Sequence, residues 1–261
     1  MSPPSRVDAE ARAAALLARL DRLPGTRHVW RLVALLSLGG TFEFYDLFMT
    51  AYVVPGLVKA GMLTDVALGI FAGPALFVAS TFTGLFIGTF AFGYVADRYG
   101  RRTIFTYSML WYCAATLAMA VQRTGLDVCL WRLIAGIGIG VELVTIDTYI
   151  SELVPKSIRG RAFAFNQTLQ FAVVPVVAFV AYRLVPIRPF GHDGWRWVVL
   201  IGSIGALFVW VIRRPVPESP RWLINQGRLD EADTVTATIE AKVLADLGGA
   251  PLPPPAEHSM E

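Results

Sequence analysis

The sequence has 261 residues, of which 55% are hydrophobic and only 16% charged, with a formal net charge of +3. A soluble domain carries nearer a quarter charged residues, so an ordinary water-soluble globule is excluded. The basic residues cluster in short segments between apolar runs, which argues against a nucleic-acid partner and for a lipid bilayer as the surrounding medium.

Taken in chain order, residues 1–30 are polar and Arg-rich, with no short apolar core of a cleavable signal peptide. Within them, 8–22 reads as an Ala-rich amphipathic helix, expected to stay in the cytosol with no chemistry of its own. The first span is expected over 32–54, ending at Pro55, and it contains Glu43 and Asp46. The second is expected over 66–95, with Gly84 and Gly88 spaced for close helix contact.

The third covers 103–121. The fourth, 129–154, carries Arg132, Glu142, Asp147 and Glu152 beside Gly136, Gly138 and Gly140. These glycines lack the strand–turn–helix context of a nucleotide fingerprint and read as a smooth packing face. The fifth span covers 162–185 and the sixth 195–212, with Trp195 and Trp197 at its outer interface. Each run approaches or exceeds the ~20 residues that cross a bilayer.

Arg98, Arg101, Arg102, Lys156, Arg159, Arg161, Arg213, Arg214 and Arg221 crowd one set of loops; Lys59, Arg123, Arg183, Arg188 and Arg196 are the sparser opposite set. Positive loops stay inside, so six spans with both termini cytoplasmic are expected. The tail holds a helical stretch at 229–245 and a Gly/Pro stretch at 248–255 that reads as a disordered linker. The organisation is thus a cytosolic segment (1–30), a six-helix membrane bundle (31–213) and a cytosolic helical tail (214–261). Cys113 and Cys129 read as core packing without a disulfide. No nucleophile–base set, phosphate loop or metal-ligand cluster is present, so no enzyme activity, cofactor or metal is expected.

Between spans two and three lies Gly93-Tyr94-Val95-Ala96-Asp97-Arg98-Tyr99-Gly100-Arg101-Arg102. It reads as a short basic hairpin, with Gly93 and Gly100 supplying the chain breaks. Its pattern at Gly93, Asp97, Arg98, Gly100, Arg101 and Arg102 resembles the loop between the second and third helices of the major facilitator superfamily. Trp131-Arg132 through Gly140, Ser151-Glu152 with Arg159-Gly160-Arg161, and Pro217-Glu218-Ser219-Pro220-Arg221 resemble the sugar-porter branch and related metabolite:proton symporters. Phe42-Glu43-Phe44-Tyr45-Asp46 is similar to the organic-acid and phosphate symporters. The resemblance implies the N-terminal six-helix half of a major facilitator fold. It also implies proton-coupled symport of a small polar metabolite, an organic acid or sugar, in a bacterial inner membrane. Members of the superfamily have two such halves, so a second half, self-association, or a non-transporting subunit or inactive fragment remain open alternatives.

Intramembrane charges are functional candidates. At ~1.5 Å per residue, Asp46 lies roughly 22 Å from the inner surface, counted from Arg31, and Arg132 roughly 7 Å from the outer one. In a core ~30 Å thick those levels coincide, so an Asp–Arg pair is plausible. The resemblance makes Asp46 the proton carrier and Arg132 its partner; a static structural pair is the alternative. Glu43, three residues before Asp46, is a second proton site, a substrate contact or a hydrogen-bonded core group. Gln167 matches a substrate-binding glutamine of sugar porters, and Gln170 is expected to share its face; helix–helix hydrogen bonding is the other reading. The resemblance further implies a cytoplasmic gate of Gly93, Asp97, Arg98, Gly100, Arg101, Arg102, Glu152, Arg159, Arg161 and Glu218, in which Glu152, Glu218, Arg98, Arg102, Arg159 and Arg161 pair, against a solvated charge cluster that only sets topology.

Overall fold

The computed structural model describes residues 6–212 and 214–254. Among these residues the chain forms nine α-helices and one short hairpin. Six helices are long and apolar enough to cross a membrane: α2 (Arg27–Lys59), α3 (Gly73–Tyr99), α4 (Arg101–Ala120), α5 (Gly125–Leu153), α6 (Arg159–Leu184) and α7 (Gly194–Ile212). The all-α, six-span polytopic fold read from the apolar runs is the fold present. The remaining elements are α1 (Arg6–Asp21), α8 (Pro220–Asn225), α9 (Leu229–Asp246) and a hairpin of β1 (Ala67–Leu68) and β2 (Phe71–Ala72).

Several boundaries differ for identifiable reasons. Helix α2 starts at Arg27, so a boundary at residue 30 falls inside it, and it runs through Pro55 to Lys59. A proline in a spanning helix is tolerated where neighbouring groups satisfy the freed carbonyl. Residues 66–72, apolar enough to read as part of span two, instead carry the hairpin. Gly69 and Gly73 have positive φ there, and Pro74 in the first turn fixes where α3 begins.

The basic stretch at 93–102 is not a loop of ten residues. Helix α3 continues to Tyr99 and α4 starts at Arg101, so Gly100 (φ 97°) is the sole break. Gly93 continues α3 as helix, and its surroundings lie outside the described residues, as do Arg213 and Pro255. The expected linker at 248–255 has a defined coil as far as Pro254, and the Pro253 carbonyl accepts a 3.4 Å hydrogen bond from Arg22.

In lipid, helices are not driven together by hydrophobicity, so close backbone approach and polar contacts hold them. Helices α3 and α5 illustrate this. A Cβ on Gly84, Gly88 or Gly140 would collide with a carbonyl of the facing helix, and one on Gly136 would come 2.6 Å from the Thr81 carbonyl. Gly138, two residues from its neighbours, points to α4 instead, where a Cβ would meet Trp111 at 2.8 Å. The glycines of span four therefore serve two faces, not the one smooth face expected.

Helix α2 packs on α5, α6 and α7, and α4 packs on α5 and α7. Cys113 and Cys129 are both free and buried. The outward faces of α3 (Phe82, Phe86, Phe90, Tyr94) and α6 (Phe171, Phe179, Tyr182) stay exposed.

Helices α1, α8 and α9 gather at one end of the bundle. Leu16 packs with Trp222, Leu223 and Ala232, while Leu20 and Leu23 join Ile239 and Val243. Arg19 pairs with Asp233 at 2.6 Å and also with Glu240, which Arg22 reaches at 3.0 Å. Burial alone would raise the Glu240 pKa, but its bonds to Arg19 and Arg22 outweigh this and hold it below the ordinary glutamate value.

Candidate functional site

The most enclosed polar cluster centres on Arg132 of α5, whose side chain is completely buried. Its Nη1 donates to Asp46 Oδ2 at 2.7 Å. Nη2 donates to the Asp46 carbonyl at 2.8 Å and to Thr50 Oγ1 at 2.6 Å, and Nε donates to Thr81 Oγ1 at 3.1 Å. The Thr116 hydroxyl donates to the other Asp46 oxygen at 3.4 Å. Four spanning helices, α2, α3, α4 and α5, thus meet on one ion pair.

Local sequence explains the arrangement. Asp46 and Thr50 stand one helical turn apart on α2, so both reach the same guanidinium. The Thr81 hydroxyl donates to the Phe77 carbonyl one turn back at 3.2 Å, which leaves its lone pairs to accept from Arg132. Gly136 sits one turn beyond Arg132 on the same face of α5, and its missing side chain lets α3 approach closely enough for Thr81 to reach the arginine.

The hydroxyls of Thr50, Thr81 and Thr116 were not legible as site residues. Only the i, i+4 spacing of Asp46 and Thr50 was visible; Thr81 and Thr116 come from other helices. Glu43 is fully buried on α2 one turn before Asp46, and Glu142 is fully buried on α5. The Asn166 amide, also missed, donates to Asp147 at 3.3 Å.

The two glutamines of α6 do not share an environment. Gln167 is exposed, while Gln170 is buried against α2, where a Cβ on Gly40 would collide with its side chain. Positions three apart differ by about 60° around the helix, which separates them here because the pair straddles the edge of the face packed on α2.

At the end that carries α1, α8 and α9, a second cluster forms around Arg101, the first residue of α4. Its guanidinium binds Asp97 at 2.6 Å and Glu152 at 2.9 Å. Glu218 accepts the backbone N–H groups of Arg101, Arg102 and Ser219 at 3.0, 3.1 and 2.9 Å. Burial pushes the Glu218 carboxyl above the ordinary glutamate value, against the opposing pull of those N–H donors. The Trp222 indole donates to the Asp97 carbonyl at 2.7 Å, and Arg221 donates to the Glu152 carbonyl at 3.0 Å.

The expected pairing of Arg98, Arg102, Arg159 and Arg161 is corrected by this geometry: among the described residues none of them forms an ion pair. Because Gly100 alone separates the two helices, Arg101 turns inward and takes the carboxylates. Arg98 lies exposed over the Tyr99 ring at 5.7 Å, and Arg102 donates to the Arg214 carbonyl at 3.2 Å. Arg159 is partly buried and Arg161 exposed. Asp21 of α1, not anticipated, pairs with both Arg221 and Lys156.

Six apolar helices gathered on buried polar contacts define an integral α-helical membrane protein. The family model described as sugar (and other) transporter matches residues 32–248, and the chain belongs to that family. It is 34% identical over 225 residues to a niacin transporter of Acinetobacter baylyi, covering 86% of this chain and 49% of that protein. It is 31% identical over 232 residues to an arabinose-proton symporter of Bacillus subtilis, covering 85% of this chain and 48% of the symporter. The structure of the major facilitator proton:xylose symporter XylE, bound to a bromodeoxyglucose, superimposes with a TM-score of 0.71. The two are 25% identical, with 83% of this chain and 52% of the other covered. The chain spans about half the length of the curated relatives it matches.

Proposed function

We propose that this chain is one six-helix half of a proton-coupled transporter for a small polar metabolite. The observation that carries the reading is the buried Asp46–Arg132 pair with its ring of neutral acceptors. A proton arriving on the Asp46 carboxylate cancels its charge and weakens its hold on Arg132. The guanidinium still donates to Thr50, Thr81 and the Asp46 carbonyl, so it is not abandoned in a dry interior. Loading and releasing a proton then loosens and tightens the junction of four helices without scattering its parts.

In this reading Glu43 is an auxiliary carboxylate beside the proton site. Gln167, on an open face, contributes an amide contact to substrate, and Gln170, buried against α2, adds one only where that packing opens. The cluster of Asp97, Arg101, Glu152 and Glu218 closes the cytoplasmic side during alternating access, with both termini on the cytoplasmic side of a bacterial inner membrane. The relatives are named for niacin, arabinose and proton:xylose symport, which favours a small organic acid or sugar for this chain as well. A second six-helix unit, a partner chain or another copy, covers the exposed faces of α3 and α6.

The test is proton-driven uptake of candidate metabolites by cells or proteoliposomes holding the chain with any partner half. Replacing Asp46→Asn should abolish accumulation driven by a pH gradient while leaving exchange of substrate across the membrane. Gradient-driven uptake that survives this change sinks the coupling role. A second reading, a non-transporting membrane subunit, is favoured by one observation, the half-length coverage of the relatives. A six-helix unit that stays monomeric in nanodiscs and moves nothing would select it.

A further inference from the structure

A pocket carrying two arginines and an apolar cleft adjoin on the lipid-facing side of α4. The pocket, of about 380 Å³, lies between the tail-bearing ends of α4 and α7 and is lined by Arg102, Thr106, Tyr107, Trp210 and Arg214 among others. The cleft, of about 150 Å³, runs deeper along α4 between Ile104, Tyr107, Trp111, Ile137 and Val141. Tyr107 lines both.

We propose that the two together bind one anionic phospholipid, with the phosphate on Arg102 and Arg214 and an acyl chain in the cleft. The proposal does not depend on transport, only on the chain lying in a bilayer. Three observations support it. First, Arg102 and Arg214 are exposed, and among the described residues neither forms an ion pair, so their charge is available. The Arg102 guanidinium donates to the Arg214 carbonyl at 3.2 Å, and the Arg214 guanidinium lies 4.1 Å over the Trp210 ring. Both heads are thereby held at one place rather than left to wave. Glu218 already accepts the N–H groups at the start of α4, so an incoming anion meets the side chains, not the helix end.

Second, the aromatic wall of Tyr107 and Trp210 stands where ring side chains settle at a membrane interface, and basic pockets between spanning helices suit acidic headgroups. Third, the cleft is lined almost wholly by carbon. A free phosphate or a sugar phosphate would leave it unfilled, whereas a two-part amphiphile matches both compartments. The outer end of the bundle offers a contrast. There Arg188 pairs with Asp193 at 3.1 Å, and Arg196 is spent on the carbonyls of Ala120 and Gln122.

Native mass spectrometry of the purified chain, released from micelles containing phosphatidylglycerol, phosphatidylethanolamine or phosphatidylcholine with identical acyl chains, tests this. Phosphatidylglycerol should be retained preferentially. Retention should fall about fivefold for Arg214→Gln and further for Arg102→Gln combined with it. Arg123→Gln, an exposed arginine at the opposite end, should retain it as the parent does and control for lost charge. Inorganic phosphate should compete only weakly. Equal retention of all three lipids, retention unmoved by Arg214→Gln, or full displacement by inorganic phosphate would overturn the assignment.

Discussion

Arg132 and Arg101 each tie spanning helices together through a carboxylate, yet they live in different media. Arg132 is 0% exposed and its partner Asp46 only 6% exposed. Arg101 is 10% exposed, but one partner, Asp97, is 64% exposed, and the other, Glu152, 13%. Water can replace a lost partner of Arg101 and cannot reach Arg132. The difference teaches that the number of bonds is a poor guide to what breaking one costs. The inner pair's Coulomb attraction is offset by the expense of drying both charges, so its net worth is modest while its disruption is severe.

The largest effect expected is from Asp46→Leu, which leaves a buried guanidinium with neutral acceptors but no counter-charge. It should destabilise the bundle by about 3–5 kcal/mol, read as a fall in melting temperature in detergent. Adding Arg132→Met should recover most of that loss. A double variant as unstable as the single would mean that the pair is valued for its attraction, not for mutual neutralisation. Next, Arg101→Met should cost about 1.5–3 kcal/mol, because its charged hydrogen bonds are partly wet. That loss should shrink in high salt, whereas the Asp46 effect should not, since screening reaches only the exposed end.

Smaller still is the docking of α1 on α9. Glu240 has a depressed pKa in the folded chain, so its contribution is present above the ordinary value of 4.5 and fades as the pH falls through the lower folded value. Amide exchange in α1 should therefore accelerate in acid before exchange in the spans does, and Glu240→Gln should show the faster rate already at neutral pH. Glu218 runs the other way. Its pKa is raised by folding, so ionising it costs stability as the pH rises past 4.5. Glu218→Gln should consequently lose least at neutral pH and more in acid, measured by the same exchange at the start of α4. Least of all, Arg12→Gln removes an exposed contact to Asp230 and should move stability by no more than about 1 kcal/mol.

The six spans were legible because crossing a bilayer demands ~20 apolar residues, a signal no other fold writes so plainly. The Asp46–Arg132 pair was legible for a related reason: rise per residue converts sequence position into depth. What depth does not give is rotation about each helix axis. Hence Thr81 and Thr116 at the same level went unseen, and Gln167 and Gln170 were put on one face when one is exposed and the other wedged against Gly40. Arg101, Asp97 and Glu152 are readable as gate residues from the basic motif, but which arginine takes the carboxylates is not, because a ten-residue loop lets any of them turn inward. A single-residue break at Gly100 selects one. The docking of α1 on α9 joins residues more than two hundred positions apart, and nothing in either amphipathic helix names the other.

The glycine contact between α3 and α5 has a mechanical consequence. Two helices whose backbones touch along several turns cannot slide or roll against each other without colliding carbonyls. They behave as a single stiff plank, with no bearing surface between them. Any rocking of the bundle must be taken up at junctions cushioned by side chains, such as α2 against α6. A bulkier residue at Gly136 would wedge the plank apart and leave Thr81 too far away to steady Arg132.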